Sequence, residues 1–171
     1  MYIFAGLPGS GKTTLAQELS KVIGAAYLRI DTIEQGIRDL CNFKVEGEGY
    51  RLSYQVAKDN LTLGNSVIAD SCNPIEITRR EWNDVAIESG AYCINIEVMC
   101  TDKSEHKHRV ETRKSTVHGL KLPTWEQVES REYHAWHCER LVIDSAGKSI
   151  QECMSDLLSS LNDTEYRLTR R

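Results

Sequence analysis

Eight residues near the start, Gly6-Leu7-Pro8-Gly9-Ser10-Gly11-Lys12-Thr13, fit G-x-x-x-x-G-K-[ST], and they constrain everything around them. Glycines at these positions let backbone N–H groups turn inward around the phosphates of a nucleotide. Lys12 is then placed for the β- and γ-phosphates and the Thr13 hydroxyl for Mg²⁺. Such a loop needs a strand before it and a helix after it. Tyr2-Ile3-Phe4-Ala5 is an apolar run suited to a buried parallel strand, and Leu15, Leu19, Val22 and Ile23 recur at helical spacing from Thr14 onward. The chain is therefore expected to bind a nucleoside triphosphate through Gly6, Pro8, Gly9, Ser10, Gly11, Lys12, Thr13 and Thr14.

Strand and helix patterns alternate along the rest of the chain. Residues 25–30 read as a second strand ending at Asp31, followed by a helix carrying Ile33, Ile37 and Leu40. Lys44 to Gly49 reads as a flexible charged insertion. Beyond it, Tyr50, Tyr54, Ala57 and Leu61 form one helical stripe and Leu52, Val56 and Leu63 another, which predicts a helix buried on two sides. Residues 66–70 predict a third strand ending at Asp70, with Pro74 in the first turn of the next helix and Arg79-Arg80 as a solvated pair on it. Residues 91–100 predict a fourth strand. Asp102 and Glu105 resemble a capping box for a helix that carries His106, Arg109 and Arg113 on one face. Ser115 to Pro123 has no clear period and suits a mobile loop, Trp125 to Cys138 resumes a helical pattern, and residues 140–144 predict a fifth strand. Ile150 to Leu161 is amphipathic, and 162–171 is a polar tail expected to fray. The pattern predicts one α/β domain over 1–161: a five-stranded, mostly parallel sheet in three layers, helices on both faces, and a helical lid at about 102–123.

Composition narrows the function classes. The formal charge of −4 over 171 residues offers no general attraction for nucleic acid or an anionic membrane, so a nucleic-acid partner is possible but not favoured. No apolar run reaches the length of a membrane span, and a first strand at residue 2 leaves no room for a signal peptide. The six cysteines form no C-x-x-C pair, and a cytoplasmic location is expected. His134, His137 and Cys138 have the i, i+3, i+4 spacing of helix-borne zinc ligands, but no fourth ligand accompanies them.

Phosphoryl transfer needs a phosphate cradle with Mg²⁺, a group that deprotonates or orients the nucleophile, and cations for the charge of the transition state. Asp31 and Asp70, read as strand-end acids beside the strand that feeds the loop, can serve as base and as Mg²⁺ or substrate ligand. As a capping aspartate, Asp31 would have a purely structural role. Arg109 and Arg113 precede a glycine-containing loop and are placed to close over the phosphates. No N-K-x-D tetrapeptide of the kind that reads guanine occurs.

The P-loop, the strand-terminal Asp31, Val67-Ile68-Ala69-Asp70 with Asn73 and Arg79-Arg80, and Arg109-Val110-Glu111-Thr112-Arg113, in that order, resemble the small P-loop kinases. The nearest are polynucleotide 5′-kinase domains, chloramphenicol phosphotransferase and zeta-toxin kinases, which carry an AAA-type P-loop ATPase domain. The resemblance spans about residues 1–161 and implies a three-layer P-loop NTPase fold with ATP and Mg²⁺ as cofactors. It implies a catalytic set of Lys12, Asp31 as general base, and Arg109 or Arg113 on the phosphates. Thr13 and Asp70 would then hold the metal, Asp70 would also help bind the acceptor, and the turn from Asp144 to Gly147 would lie near the adenine. Polynucleotide kinases carry a substrate-phosphate arginine three residues after the base, where this chain has Glu34; the nearest arginine is Arg38, one helical turn on. An acid there would repel a nucleic-acid phosphate, so the resemblance implies a kinase for a small hydroxyl-bearing acceptor more than a polynucleotide 5′-hydroxyl kinase or a P-loop ATPase that is no kinase.

Overall fold

Strands of four to six residues that are buried on both faces lie between two layers of helix. The structure, a computed structural model, describes residues 1–168. In chain order the elements are β1 (Tyr2–Ala5), α1 (Lys12–Ile23), β2 (Ala26–Arg29), α2 (Ile30–Cys41), α3 (Glu48–Thr62), β3 (Val67–Asp70), α4 (Glu76–Glu88), β4 (Ile94–Met99), α5 (Lys103–Thr112), α6 (Trp125–Glu129), β5 (Leu141–Asp144) and α7 (Ile150–Leu168). The sheet has five strands in the order β2-β3-β1-β4-β5, and every pairing is parallel. This is the predicted three-layer α/β fold.

Side-chain alternation assigns the two cores. Phe4, Ile68, Ile96, Val98 and Ile143 face α1 and α7, packing on Leu15, Leu19 and Leu157. Ile3, Val67 and Ala69 face the opposite side, against Ala57 and Leu61 of α3 and Trp82, Val85 and Ala86 of α4. The carboxyl ends of all five strands therefore lie along one edge, where the loops after β1, β2, β3 and β4 converge.

Several local expectations change. β3 lies between β2 and β1, so only Asp70 ends a strand adjacent to the one that feeds the P-loop. No linker separates β2 from α2, and Asp31 falls in the first turn of that helix; Arg29 occupies the N-cap position, so Asp31 is not the capping residue. On α3 only the stripe with Ala57 and Leu61 is buried, while Leu52 and Val56 are each 44% exposed and Leu63 is 78% exposed. Pro74 precedes the N-cap of α4, Ile75, and so lies outside its first turn. The last helix runs on through 162–168, where a polar tail was expected; the remainder of that tail, 169–171, lies outside the described residues.

The largest correction concerns Arg79, expected in solvent and found 3% exposed. Its guanidinium donates to four carbonyls: Asn73 at 2.8 Å, Pro74 at 3.1 Å, His134 at 3.0 Å and Ala135 at 3.2 Å. It also stacks on Trp136, 3.9 Å from the ring centre, and lies 4.9 Å from that of Tyr133. The same aromatics donate to Glu97, buried on β4, which accepts from Tyr133 Oη and Trp136 Nε1 at 2.9 Å each and pairs with Arg140 at 2.5 Å. These side chains draw residues 130–140 across the sheet as an irregular strap. The helix expected over 125–138 therefore stops at Glu129, and the helix-face spacing of His134, His137 and Cys138 does not exist. Arg79→Ala would leave the carbonyls of Asn73, His134 and Ala135 without their donor, that of Pro74 keeping the His134 N–H, and is expected to cost about 3 kcal/mol in urea unfolding. Arg80→Ala, on the exposed side of α4, should stay within about 0.5 kcal/mol.

Candidate active site

The loop between β1 and α1 coils tightly, with Gly6, Gly9 and Gly11 at φ values of 139°, 89° and 95°. A Cβ on Gly9 would stand 2.5 Å from Val110 Cγ2 of α5, so the lid helix packs directly on the loop. Two carbonyls of the loop are bonded outward. His106 Nε2 lies 2.9 Å from the Pro8 carbonyl and, since a carbonyl only accepts, it carries the proton; Ser145 Oγ donates to the Ser10 carbonyl at 2.8 Å. No side chain caps the N-terminus of α1 at Gly11. Its orphan amides and positive dipole end open toward the edge of the sheet, a site suited to an anion.

A cavity of about 440 Å³ opens there. Seven cationic side chains line it (Lys12, Arg29, Arg109, Arg113, Lys114, Lys121 and Arg131) against two carboxylates, Asp31 and Glu34, in a chain whose net charge is −4. Arg113, the C-cap of α5, has its Nε buried without a hydrogen-bond partner, and burial pulls its pKa down, so it is a desolvated cation on the wall of a space that fits an anion. Arg109 is held by Glu105 at 2.5 Å and donates to Ser145 Oγ at 2.8 Å and to the Ser145 carbonyl at 3.0 Å. It also borders a smaller recess of about 210 Å³ with Gly9, Gly11, Thr14, Ser145 and Lys148, against the turn expected near an adenine.

Asp70 is 2% exposed and lies behind the loop, accepting from Thr13 Oγ1 at 3.2 Å and from Tyr27 Oη at 2.6 Å. Burial, and next the Asp70 charge, push the Tyr27 phenol far above its ordinary range, so it remains a donor. The pair of hard oxygens on Thr13 and Asp70 fits Mg²⁺, which is commonly held by one or two protein oxygens plus phosphates and water. Asp70, which would also help bind the acceptor on the reading above, stands behind Thr13 and does not line the cationic cavity. Gly6 and Ser10 belong to the loop's wall and do not line it either, while Pro8, Gly9, Gly11, Lys12, Thr13 and Thr14 do. Arg38 does not line it; it is turned to Glu34 at 2.9 Å.

A second cavity of about 390 Å³ adjoins the first, between α2, α3 and the start of α4. Four residues belong to both walls: Asp31, Glu34, Cys72 and Arg131. Cys72 and Arg131 escaped the sequence reading because nothing local marks them. Cys72 follows a strand-end turn, and Arg131 sits at the start of a strap whose path only the buried Glu97 and Arg79 reveal. Residues of the segment between α5 and α6 line the first cavity and not the second. Arg29 donates to Thr116 Oγ1 at 2.7 Å, and α5 and α6 share a small core of Val110, Trp125 and Val128 packed on Leu7.

Comparison with known proteins agrees with this geometry. A model of the family described as "AAA domain" matches residues 1–131. A Pyrococcus furiosus protein provisionally named adenylate kinase is 26% identical over 160 residues, which span 92% of this chain and 81% of that protein. Among solved structures, the Mycobacterium tuberculosis APS kinase CysC in complex with AMPPNP and APS superposes with a TM-score of 0.69 at 19% identity, over 94% of this chain and 96% of that one. A gluconokinase from Sinorhizobium meliloti gives 0.68 at 15% identity, over 98% and 94%. At these identities the structural likeness is one of fold.

The contact between Gly9 and Val110 makes a direct test of the cradle. Gly9→Ala should push α5 off the loop and weaken AMPPNP binding by at least about tenfold, roughly 1.4 kcal/mol. Gly24→Ala, whose Cβ would meet nothing within 4 Å, should bind as the parent does despite a similar positive φ. Isothermal titration calorimetry distinguishes the two outcomes.

Proposed function

The chain belongs to the AAA domain family of P-loop kinases, and from that premise we propose that it moves the γ-phosphate of Mg·ATP to a hydroxyl group of a small acceptor. The observation that carries this reading is the position of Asp31, on the wall common to a cationic cavity at the P-loop and a second cavity beside it. A base at the mouth between two sites is where an acceptor hydroxyl would meet the γ-phosphorus. The Asp31 carboxylate takes the proton of that hydroxyl, the acceptor oxygen bonds to phosphorus, and the bond to the β–γ bridging oxygen breaks. ADP and a phosphomonoester result. Lys12 and Arg113 receive the charge that spreads over the transferring group, with Arg109 holding the turn at Ser145. When bound, Mg²⁺ would neutralise charge on the β- and γ-phosphates from Thr13 and Asp70.

Two other readings find less support. A polynucleotide 5′-kinase would have to place a phosphate backbone against Glu34, and Arg38, the arginine nearest the position used for that purpose, is occupied by Glu34 itself. An ATPase without an acceptor has no use for the second cavity.

With Mg·ATP, acceptor-dependent ADP release is expected, and slow hydrolysis unchanged by every hydroxyl compound tried would overturn the proposal. Lys12→Ala should lose ATP turnover while remaining folded. Asp31→Asn should keep AMPPNP affinity and lose transfer by about 10²–10⁴-fold, the usual yield of a general base; transfer at the parent rate would remove Asp31 from the chemistry.

A further inference from the structure

The two cavities that meet at Asp31 differ in charge. Around the P-loop cations outnumber carboxylates seven to two, whereas the second cavity is lined by Asp31, Glu34, Glu46 and Glu81 against Arg51 and Arg131. Of those two arginines, Arg131 stands at the boundary shared with the cationic side, and Arg51 lies close enough to Glu48 to favour that carboxylate's charge.

Glu34 is the carboxylate that the fold fixes most firmly. Its Oε2 is held by Arg38 Nη2 at 2.9 Å. Its stem lies against the backbone of α3 at Gly49, where a Cβ would come within 2.3 Å of Glu34 Cγ. Burial pushes its carboxyl upward in pKa and the Arg38 hydrogen bond opposes that shift. So positioned, it keeps lone pairs free to accept hydrogen bonds at the passage between the cavities. Tyr50 and Ser71 also line the second cavity, with the Ser71 Oγ itself enclosed beside the Tyr50 hydroxyl.

We infer that the second cavity takes a small polyhydroxylated acceptor bearing no phosphate or carboxylate, and that Glu34 is the residue that selects it. The inference rests on the kinase reading above. Hydroxyl or amine donors of the acceptor bond to the carboxylates of Glu34, Glu46 and Glu81. An anionic group in the same place meets the carboxylates of Glu34 and Asp31, with Arg131 the single cation on the wall the two cavities share. A nucleoside monophosphate, whose phosphate would have to lie near this passage, is thereby disfavoured.

Adenosine and AMP differ only in the phosphate and serve as matched probes. Each is titrated by calorimetry into the protein already saturated with Mg·AMPPNP. In the parent, adenosine should bind and AMP should bind at least about tenfold more weakly; no measurable binding of either to the parent and both variants overturns the inference. In Glu34→Arg the ratio should swing toward AMP by at least about tenfold, with Glu34→Gln intermediate and circular dichroism reporting the fold of each. AMP binding the parent as tightly as adenosine, or a ratio unmoved in both variants, overturns the inference while the kinase reading stands. Failure of AMPPNP to bind in the first titration would overturn the kinase reading instead.

Discussion

A backbone can point its amides at a phosphate only if its carbonyls are satisfied elsewhere, and that requirement ties this structure together. The carbonyls of Pro8 and Ser10 are bonded to His106 on α5 and to Ser145 after β5, residues 98 and 135 positions away in the chain. The lid helix and the last strand turn are thus parts of the cradle as much as α1 is. Arg109 joins the two by reaching from α5 to Ser145, and Val110 closes the gap over Gly9. A buried polar network of this kind is stable because most of its members have a partner; of the buried side-chain atoms without one, Arg29 Nε, Ser71 Oγ and Arg113 Nε belong to residues on cavity walls.

What was legible in the sequence was whatever is contiguous. The P-loop is a local motif, and its flanking strand and helix are local patterns. The alternation of apolar runs and periodic segments was enough for an α/β sheet with helices on both faces. Asp31, Lys12 and the arginines of α5 could be named because spacing alone carries them to the same edge of the sheet. The second α3 stripe misled because apolar periodicity does not say which stripe finds a partner. Arg79 misled for a different reason. An arginine reads as surface unless enough acceptors converge on it, and half of its acceptors come from residues more than fifty positions downstream. The strap at 130–140 has a helical pattern of apolar residues, but Tyr133 and Trp136 are spent on Glu97 and Arg79, so tertiary bonds override the local preference. Cavity walls were least legible, since each is assembled from several separate segments with no pattern of its own.

The division of charge between the two cavities gives a simple picture of how one small domain handles two ligands. On the reading proposed above, the cationic side would draw in the triphosphate and the acidic side would not compete for it. Arg131 and Asp31 stand at the boundary with opposite charge, and the lid contact between Arg29 and Thr116 lies on the wall of the cationic side.

The sheet order has a consequence for how the chain is made. β1 is synthesised first yet lies at the centre: Ile3 pairs with Ala69 on one side and Asn95 on the other, and the loop that follows is bonded to Ser145. A nascent chain must therefore extend past about 100 residues before its first strand has two neighbours, and past Ser145 before the P-loop carbonyls are satisfied. Until then residues 2–5 present an apolar strand with open edges, the kind of segment most prone to pairing with another chain. Within this domain, the nucleotide-binding loop is made before the strands and turns that complete it.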